Sequence, residues 1–226
     1  MTQDPDTDRR PPLDHNGAEA ALRAQILATE HWSLLATRSM TWSEIFSRTG
    51  IFLTVLSAAV VALSLMAQAT GYGEGFRVFA LLVLPIVLLV GLGTYVRLVE
   101  ADIEDVWLVV GMNRLRHAYL ELAPDLGPYF VTSPHDDMRG VLHTYSFRRD
   151  VGIIHLLSGS PVIVGIIDTV IAGVLAAIAC QALGFAVAVQ IGVGLLVTLL
   201  TAAMLGALGY RRIGQVSRDY RPRFPS

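Results

Sequence analysis

Four long apolar runs alternate with polar segments along this chain. The runs cover residues 51–69, 78–96, 161–183 and 185–208, and none of them contains Lys or Arg. A bilayer core about 30 Å thick is crossed by about 20 apolar residues in an α-helix, and each run has roughly that length. The pattern predicts an all-α, polytopic membrane protein whose four transmembrane helices form two hairpins.

The segments next to the first hairpin are predicted to be long helical extensions. Residues 18–50 contain no Pro and carry a broad apolar face, so we expect a helix that runs into the first span or lies on the membrane surface. No Gly or Pro cluster follows the second span before Pro124. One rod from Val78 to Ala123 would measure about 69 Å. After Val96, apolar residues recur every three or four positions and form one apolar face of this helix. That face needs a partner surface, either the 18–50 helix or a second subunit.

The remaining segments complete the expected organisation. Ser133, Pro134, Asp136 and Asp137 are typical of an N-cap and first turn of a short helix. Val151–Leu157 is apolar but too short to span. The domains are a disordered tail at 1–17, a juxtamembrane helix at 18–50, hairpins at 51–96 and 161–208, a helical region at 97–160 and a basic tail at 209–226.

The positions of Arg predict the orientation in the membrane. All 17 basic residues are Arg, and all but Arg77 lie before the first run, between the second and third, or after the fourth. Cytoplasmic loops keep positive charge, so both termini and the 97–160 region are expected in the cytoplasm. The first apolar run begins only at Ile51, which argues against a cleaved signal peptide. The absence of Lys is typical of a GC-rich bacterial genome and favours the plasma membrane, as the inner membrane of a bacterium.

Asp168 lies inside the third apolar run, where a carboxylate costs about 2.5–3.5 kcal/mol. We interpret it as a proton- or cation-accepting group, with Thr169 and Gln190 as further polar members of an intramembrane ion pathway. The alternative is a structural Asp that bonds a neighbouring helix or approaches the interface.

Small residues recur at four-residue spacing on the third and fourth runs. The first stripe is Gly165, Thr169, Gly173 and Ala177, and the second is Gly194, Thr198, Ala202 and Gly206. Such stripes let helix backbones approach closely, so they predict helix-packing seams. The alternative is that they line a narrow pore.

Four acids, Glu100, Asp102, Glu104 and Asp105, crowd the segment just beyond the second span. Around a ring of subunits they would form a vestibule that attracts cations. The alternative is pairing with Arg38, Arg48, Arg211 or Arg212, or simple solvation. Arg211 and Arg212 are also candidates for contact with anionic lipid.

Several function classes are excluded or lack support. A chain without Lys carries no Walker A lysine or Schiff-base lysine, and no hydrolase or dinucleotide motif occurs. Cys180 stands alone, and the spacing of His135, Asp136, Asp137 and His143 matches no metal-ligand pattern. We therefore predict no enzyme, no cofactor, no metal site and no nucleic-acid partner.

Three functions stay open at this point. The first is a homo-oligomeric ion channel or small-ion conduit, which predicts a ring of subunits. The second is a membrane-anchored scaffold or sensor that binds a cytoplasmic partner. The third is a small proton- or cation-coupled transporter that uses Asp168.

Overall fold

The computed structural model describes residues 15–145 and 159–226, which form helices joined by turns and contain no β-strand. Five α-helices lie in this described part: α1 (His15–Thr70), α2 (Glu74–Leu122), α3 (Met138–Tyr145), α4 (Ser160–Ala182) and α5 (Val187–Asp219). All of them except α3 are long and apolar enough to cross a membrane. The predicted all-α architecture with four such helices is confirmed. Most of the predicted tail, residues 1–14, and the stretch Val151–Leu157 lie outside the described residues.

The first two helices are continuous rods that extend far beyond their apolar runs. α1 has 56 residues and α2 has 49, so they measure about 84 Å and about 74 Å. α1 contains no Pro, and it passes Gly50 without interruption. The segment before the first span therefore runs straight into it, as one of the two alternatives predicted. α2 also continues through Pro85.

A three-residue turn folds α2 back along α1. Gly71 and Tyr72 both have positive φ angles, 63° and 60°, which reverse the chain directly after Thr70. The two helices then stay in contact beyond the membrane-length part. Contacts that mark their antiparallel register join Leu34 to Gly111, Arg38 to Asp105, Glu44 to Arg97, and Phe52 to Gly91. The predicted partner of the α2 extension is thus α1 of the same chain.

The second hairpin packs on the first through α4. α4 and α5 are joined by a turn at Gly184, whose φ is 79°. Val164 of α4 is fully buried with Val87 and Leu98 of α2 in one apolar core. α5 contributes Leu205 to this core, while most of its large apolar side chains are exposed, as expected for a helix that faces lipid.

Outside the apolar spans, a small second core joins α2 to α3 and to the end of the chain. Val109 and Val110 of α2 pack against Val141 of α3 and against Tyr220. We use "extramembrane region" for α1 before Ile51, residues 97–145, and residues 209–226.

The start of α3 differs from the sequence prediction. Asp137, one residue before the helix, accepts a hydrogen bond from the backbone N–H of Gly140 at 2.9 Å and is therefore the N-cap. Ser133 instead accepts the N–H of His135 at 3.0 Å in a local turn four residues upstream of Asp137. The N-cap prediction for Ser133 was wrong because two overlapping Ser/Asp signals compete and the later one begins the helix.

Candidate functional site

Asp168 lies at a junction of three helices. It is eight residues after the first residue of α4, which corresponds to about 12 Å of helix. Its side chain has no solvent exposure. Neither carboxyl oxygen has a hydrogen-bond partner among the described residues. It is therefore a buried acid with nothing in the described structure to compensate it.

The space that holds Asp168 is provided by Gly91 of α2. A methyl carbon placed on Gly91 would lie 2.6 Å from Cγ of Asp168, closer still to Oδ1, and 2.8 Å from Cε2 of Phe52. Any side chain at position 91 would therefore collide with α4 and α1 together. Sequence reasoning missed Gly91 and Phe52; a glycine in the second run was visible, but its partner could not be read without the helix register.

The other predicted members of the intramembrane pathway do not join Asp168 in this structure. The Thr169 hydroxyl donates to the carbonyl of Ile166 at 2.7 Å, within its own helix. The Gln190 side-chain amide donates to the carbonyl of Phe185 at 2.7 Å, at the turn between α4 and α5. From Asp168 to the end of α4 at Ala182 is about 21 Å of helix, so Gln190 belongs to the far end of the bundle.

The small residues form a close contact between α4 and α5 at one level. A methyl carbon on Gly173 would lie 2.7 Å from the carbonyl oxygen of Gly194 and closer still to the Thr198 hydroxyl. Gly165 faces the ring of Tyr95 on α2 instead. Gly206 faces open space, with no described atom within 4 Å. Gly173, Gly194 and Thr198 thus form a packing seam between α4 and α5. Gly206 is not part of this seam.

Two of the four clustered acids are paired within the chain. Asp105 is 2% exposed and accepts from Arg38 at 2.7 and 3.2 Å, from the Trp42 indole at 3.2 Å, and from the Tyr145 hydroxyl. It thereby ties α1, α2 and α3 together.

The second paired acid is Glu104, whose partner Arg97 also binds α1. Arg97 donates to Glu104 at 2.8 Å and to Glu44 of α1 at 2.8 Å. The two charged side chains of Arg97 and Glu104 are only partly covered, so this bridge contributes little to stability. Glu100 is half-buried. Asp102 is also half-buried, and burial together with the neighbouring Asp105 raises the pKa of its carboxyl to about 6.

A third buried acid, Asp136, binds the end of the chain. Its carboxylate has no exposure and accepts from Arg114 at 2.8 Å, from the Tyr220 hydroxyl at 2.7 Å, and from the backbone N–H groups of Arg223 at 3.0 Å and Phe224 at 2.8 Å. These donors hold the pKa of Asp136 well below its usual range, against the effect of burial. Sequence reasoning had placed Asp136 in the first turn of a helix and had missed this junction.

The basic tail is divided between two environments. Arg211 and Arg212 lie on α5 and are exposed, so a contact with anionic lipid stays a prediction. Residues 220–226 leave the helix and lie against α2, where Phe224 stacks on His117 with ring centroids 4.0 Å apart and Tyr220 meets Trp107 edge to face at 5.2 Å. Among the described residues, no group of three His, Cys, Asp or Glu side chains could hold a metal ion.

Four spanning-length apolar helices with a bare, buried carboxyl between them define a polytopic α-helical protein compatible with integral insertion in a membrane. No family model, curated protein or solved structure matches the chain.

Proposed function

We propose that this chain is a non-enzymatic, ion-coupled membrane protein in which Asp168 accepts and releases a proton or a small cation inside one protomer. The observation that carries the proposal is the enclosed position of Asp168 without any described hydrogen-bond partner. An acid in an apolar span is costly, and such residues are typically functional groups on an ion or proton pathway.

A comparison within the chain supports this interpretation. Asp105 and Asp136 are equally buried, and each is surrounded by three or more donor groups. Asp168 has none among the described residues. The two buried acids outside the apolar spans are thus compensated by hydrogen-bond donors. Asp168, inside an apolar span, is not compensated by any described donor, although burying a carboxylate costs the most free energy there.

The geometry gives less support to a ring channel. A vestibule of cation-attracting acids needs free carboxylates, but Asp105 and Glu104 are paired with Arg38 and Arg97 of the same chain. A central pore lined by Asp168 needs this side chain on a surface, whereas α1 and α2 cover it. The homo-oligomeric channel therefore ranks behind transport within one protomer.

The test is ion flux in liposomes that contain the purified protein and a pH-sensitive dye. Under an imposed voltage, proton entry is followed in the absence of other permeant cations, and then with Na⁺ or K⁺ gradients. Asp168→Asn is expected to abolish flux because the amide cannot accept a proton in its place. Asp125→Asn, which changes an exposed acid of the extramembrane region, is the matched control and should retain flux.

Wild-type protein that passes none of these ions would contradict the proposal, and so would unchanged flux in Asp168→Asn. The subunit count by native mass spectrometry adds an independent result. A closed ring of four or more would return the oligomeric conduit to first place, whereas a monomer or dimer favours transport within one protomer.

A second candidate, a scaffold or sensor, is favoured by an exposed apolar face on α1. Trp32 and Leu35 are 71% and 41% exposed, and Phe46 is 66% exposed, at three-four helical spacing. Phe46 is close enough to the first span to sit at the headgroup level. Trp32 is about 28 Å of helix before Ile51, outside that level, which favours a protein partner there. Trp32→Ser should then abolish partner binding while leaving ion flux unchanged.

A further inference from the structure

Residues 220–226, which we name the C-terminal clamp, tie the end of α5 to α2. The clamp begins directly after the last residue of α5, Asp219. Its Tyr220 hydroxyl and two of its backbone N–H groups donate to the buried Asp136. The N–H of Asp136 in turn donates to the carbonyl of Phe224 at 3.2 Å. Main-chain groups of the clamp thus donate to the Asp136 carboxylate and accept from the Asp136 N–H, which is an arrangement expected of a peptide bound in a recognition groove.

Side chains add to this backbone recognition. Phe224 stacks on His117, and Tyr220 lies against Trp107 and under Arg114, whose guanidinium carbon is 5.7 Å from the ring centroid. Arg221, by contrast, is exposed. The groove therefore contacts two aromatic side chains that are four positions apart, and it binds the main chain next to them.

The clamp matters for the bundle because α5 touches α2 at few other points. Within the apolar part, the Tyr95 hydroxyl of α2 donates to the carbonyl of Leu205 at 2.7 Å. Elsewhere α5 packs mainly on α4, at the Gly173–Gly194 seam. α4, which carries Asp168, packs on α2 directly through Val164 and Gly165. The clamp and the Tyr95 bond add the attachments of α5 to α2, so they hold the other helix of the same hairpin against α2.

We propose that the C-terminal clamp is a releasable lock on the Asp168 site: seated in the Asp136 groove, it holds the α4–α5 hairpin closed against α2, and its release opens Asp168 to ions. This regulation rests on the transport function proposed above. The groove's ligand is an extended segment with Tyr and Phe four residues apart, which is the chain's own end in this structure.

The test combines three measurements on the full-length protein in nanodiscs. The first is amide hydrogen exchange of the peptide that contains Arg223 and Phe224. The second is the rate at which a hydrophobic carbodiimide modifies Asp168, read by mass spectrometry. The third is ion flux in liposomes. Asp136→Asn removes the charge that four donors share, and Phe224→Ala removes the His117 stack, so either variant tests the clamp if the other folds poorly. Arg221→Ala, at an exposed clamp position, is the control.

We expect both clamp variants to exchange the tail amides about tenfold faster or more, since a buried charged acceptor or its aromatic cover is lost. Modification of Asp168 should accelerate by a similar factor, and flux should rise. The control should match the wild type in all three. Adding a free peptide of residues 220–226 to Phe224→Ala should slow the modification of Asp168 again.

Faster tail exchange with unchanged modification of Asp168 would overturn the lock, whatever the flux. Unchanged tail exchange in both variants would overturn the clamp itself. If the wild type carries no ion but clamp release still exposes Asp168, the conformational coupling stands and only the proposed transport fails.

Discussion

Replacing Gly91 by Ala should separate the helices that enclose Asp168. The added methyl carbon would lie 2.6 Å from Cγ of Asp168 and 2.8 Å from the Phe52 ring, against an ordinary carbon contact of about 3.5 Å or more. The carboxyl oxygen can swing away, but Cγ and the ring lie on two other helices and must move by several tenths of an ångström. Overpacking of this kind costs about 1–3 kcal/mol.

The assay is thermal unfolding in detergent, followed by tryptophan fluorescence. A loss of 1–3 kcal/mol corresponds to a drop in Tm of about 2–12 °C for a chain of this size. Gly93→Ala is the matched control on the same helix, because no described atom lies within 4 Å of its added methyl. That variant should unfold at the wild-type temperature or slightly above it, given the higher helix propensity of Ala.

A double-mutant cycle identifies the cause of the loss. Asp168→Ala removes Cγ and both oxygens, so Gly91→Ala should cost less in that background, with a coupling energy of about 1–2 kcal/mol. Equal unfolding temperatures for Gly91→Ala and Gly93→Ala would refute the packing described here. Strict additivity with Asp168→Ala would show that the two residues do not touch.

Two further predictions concern the α4–α5 seam and Asp102 of the extramembrane region. Gly173→Ala should lower the stability by about 1–3 kcal/mol, and with it the Tm, because the carbonyl of Gly194 is backbone and cannot rotate away. Gly192→Ala, which has open space around the added methyl, should leave the Tm unchanged. Equal effects of the two substitutions would contradict the seam. The pKa of Asp102 is raised to about 6 from its ordinary value near 4, so its ionisation opposes the folded state. As pH rises from 4 to 8, the wild type should therefore lose about 1–3 kcal/mol of stability relative to Asp102→Asn. Parallel pH profiles of the two proteins would contradict this.

The helices were predictable from the sequence because local pattern decides them. Uninterrupted apolar runs of about 20 residues leave few alternatives to a spanning helix. Good helix formers without Pro between Ala18 and Gly50 predicted the extension of α1, and the missing breaker after Arg97 predicted that of α2. These features depend on neighbours within a turn or two of the same helix.

The contacts between helices were not predictable in the same way. Arg38 and Asp105 are 67 positions apart, and Asp136 and Phe224 are 88 apart. A sequence names the charges but not the register that joins them, so the acidic cluster could be interpreted as either a vestibule or a set of ion pairs. Gly91 is similar: only the register of α2 against α1 and α4 shows which glycine faces Asp168.

Asp168 and the two compensated acids should respond in opposite ways to substitution. Removing the charge of Asp105 or Asp136 leaves a half-buried Arg and at least two further donors without their charged acceptor, which typically costs about 1–3 kcal/mol. Removing Asp168 strands no described partner and relieves the cost of an acid in an apolar span, so its neutral variants should be at least as stable as the wild type. A residue whose loss stabilises the fold while it abolishes flux is held in place by function alone. Destabilisation by Asp168→Asn as large as that by Asp136→Asn would instead assign Asp168 a structural role.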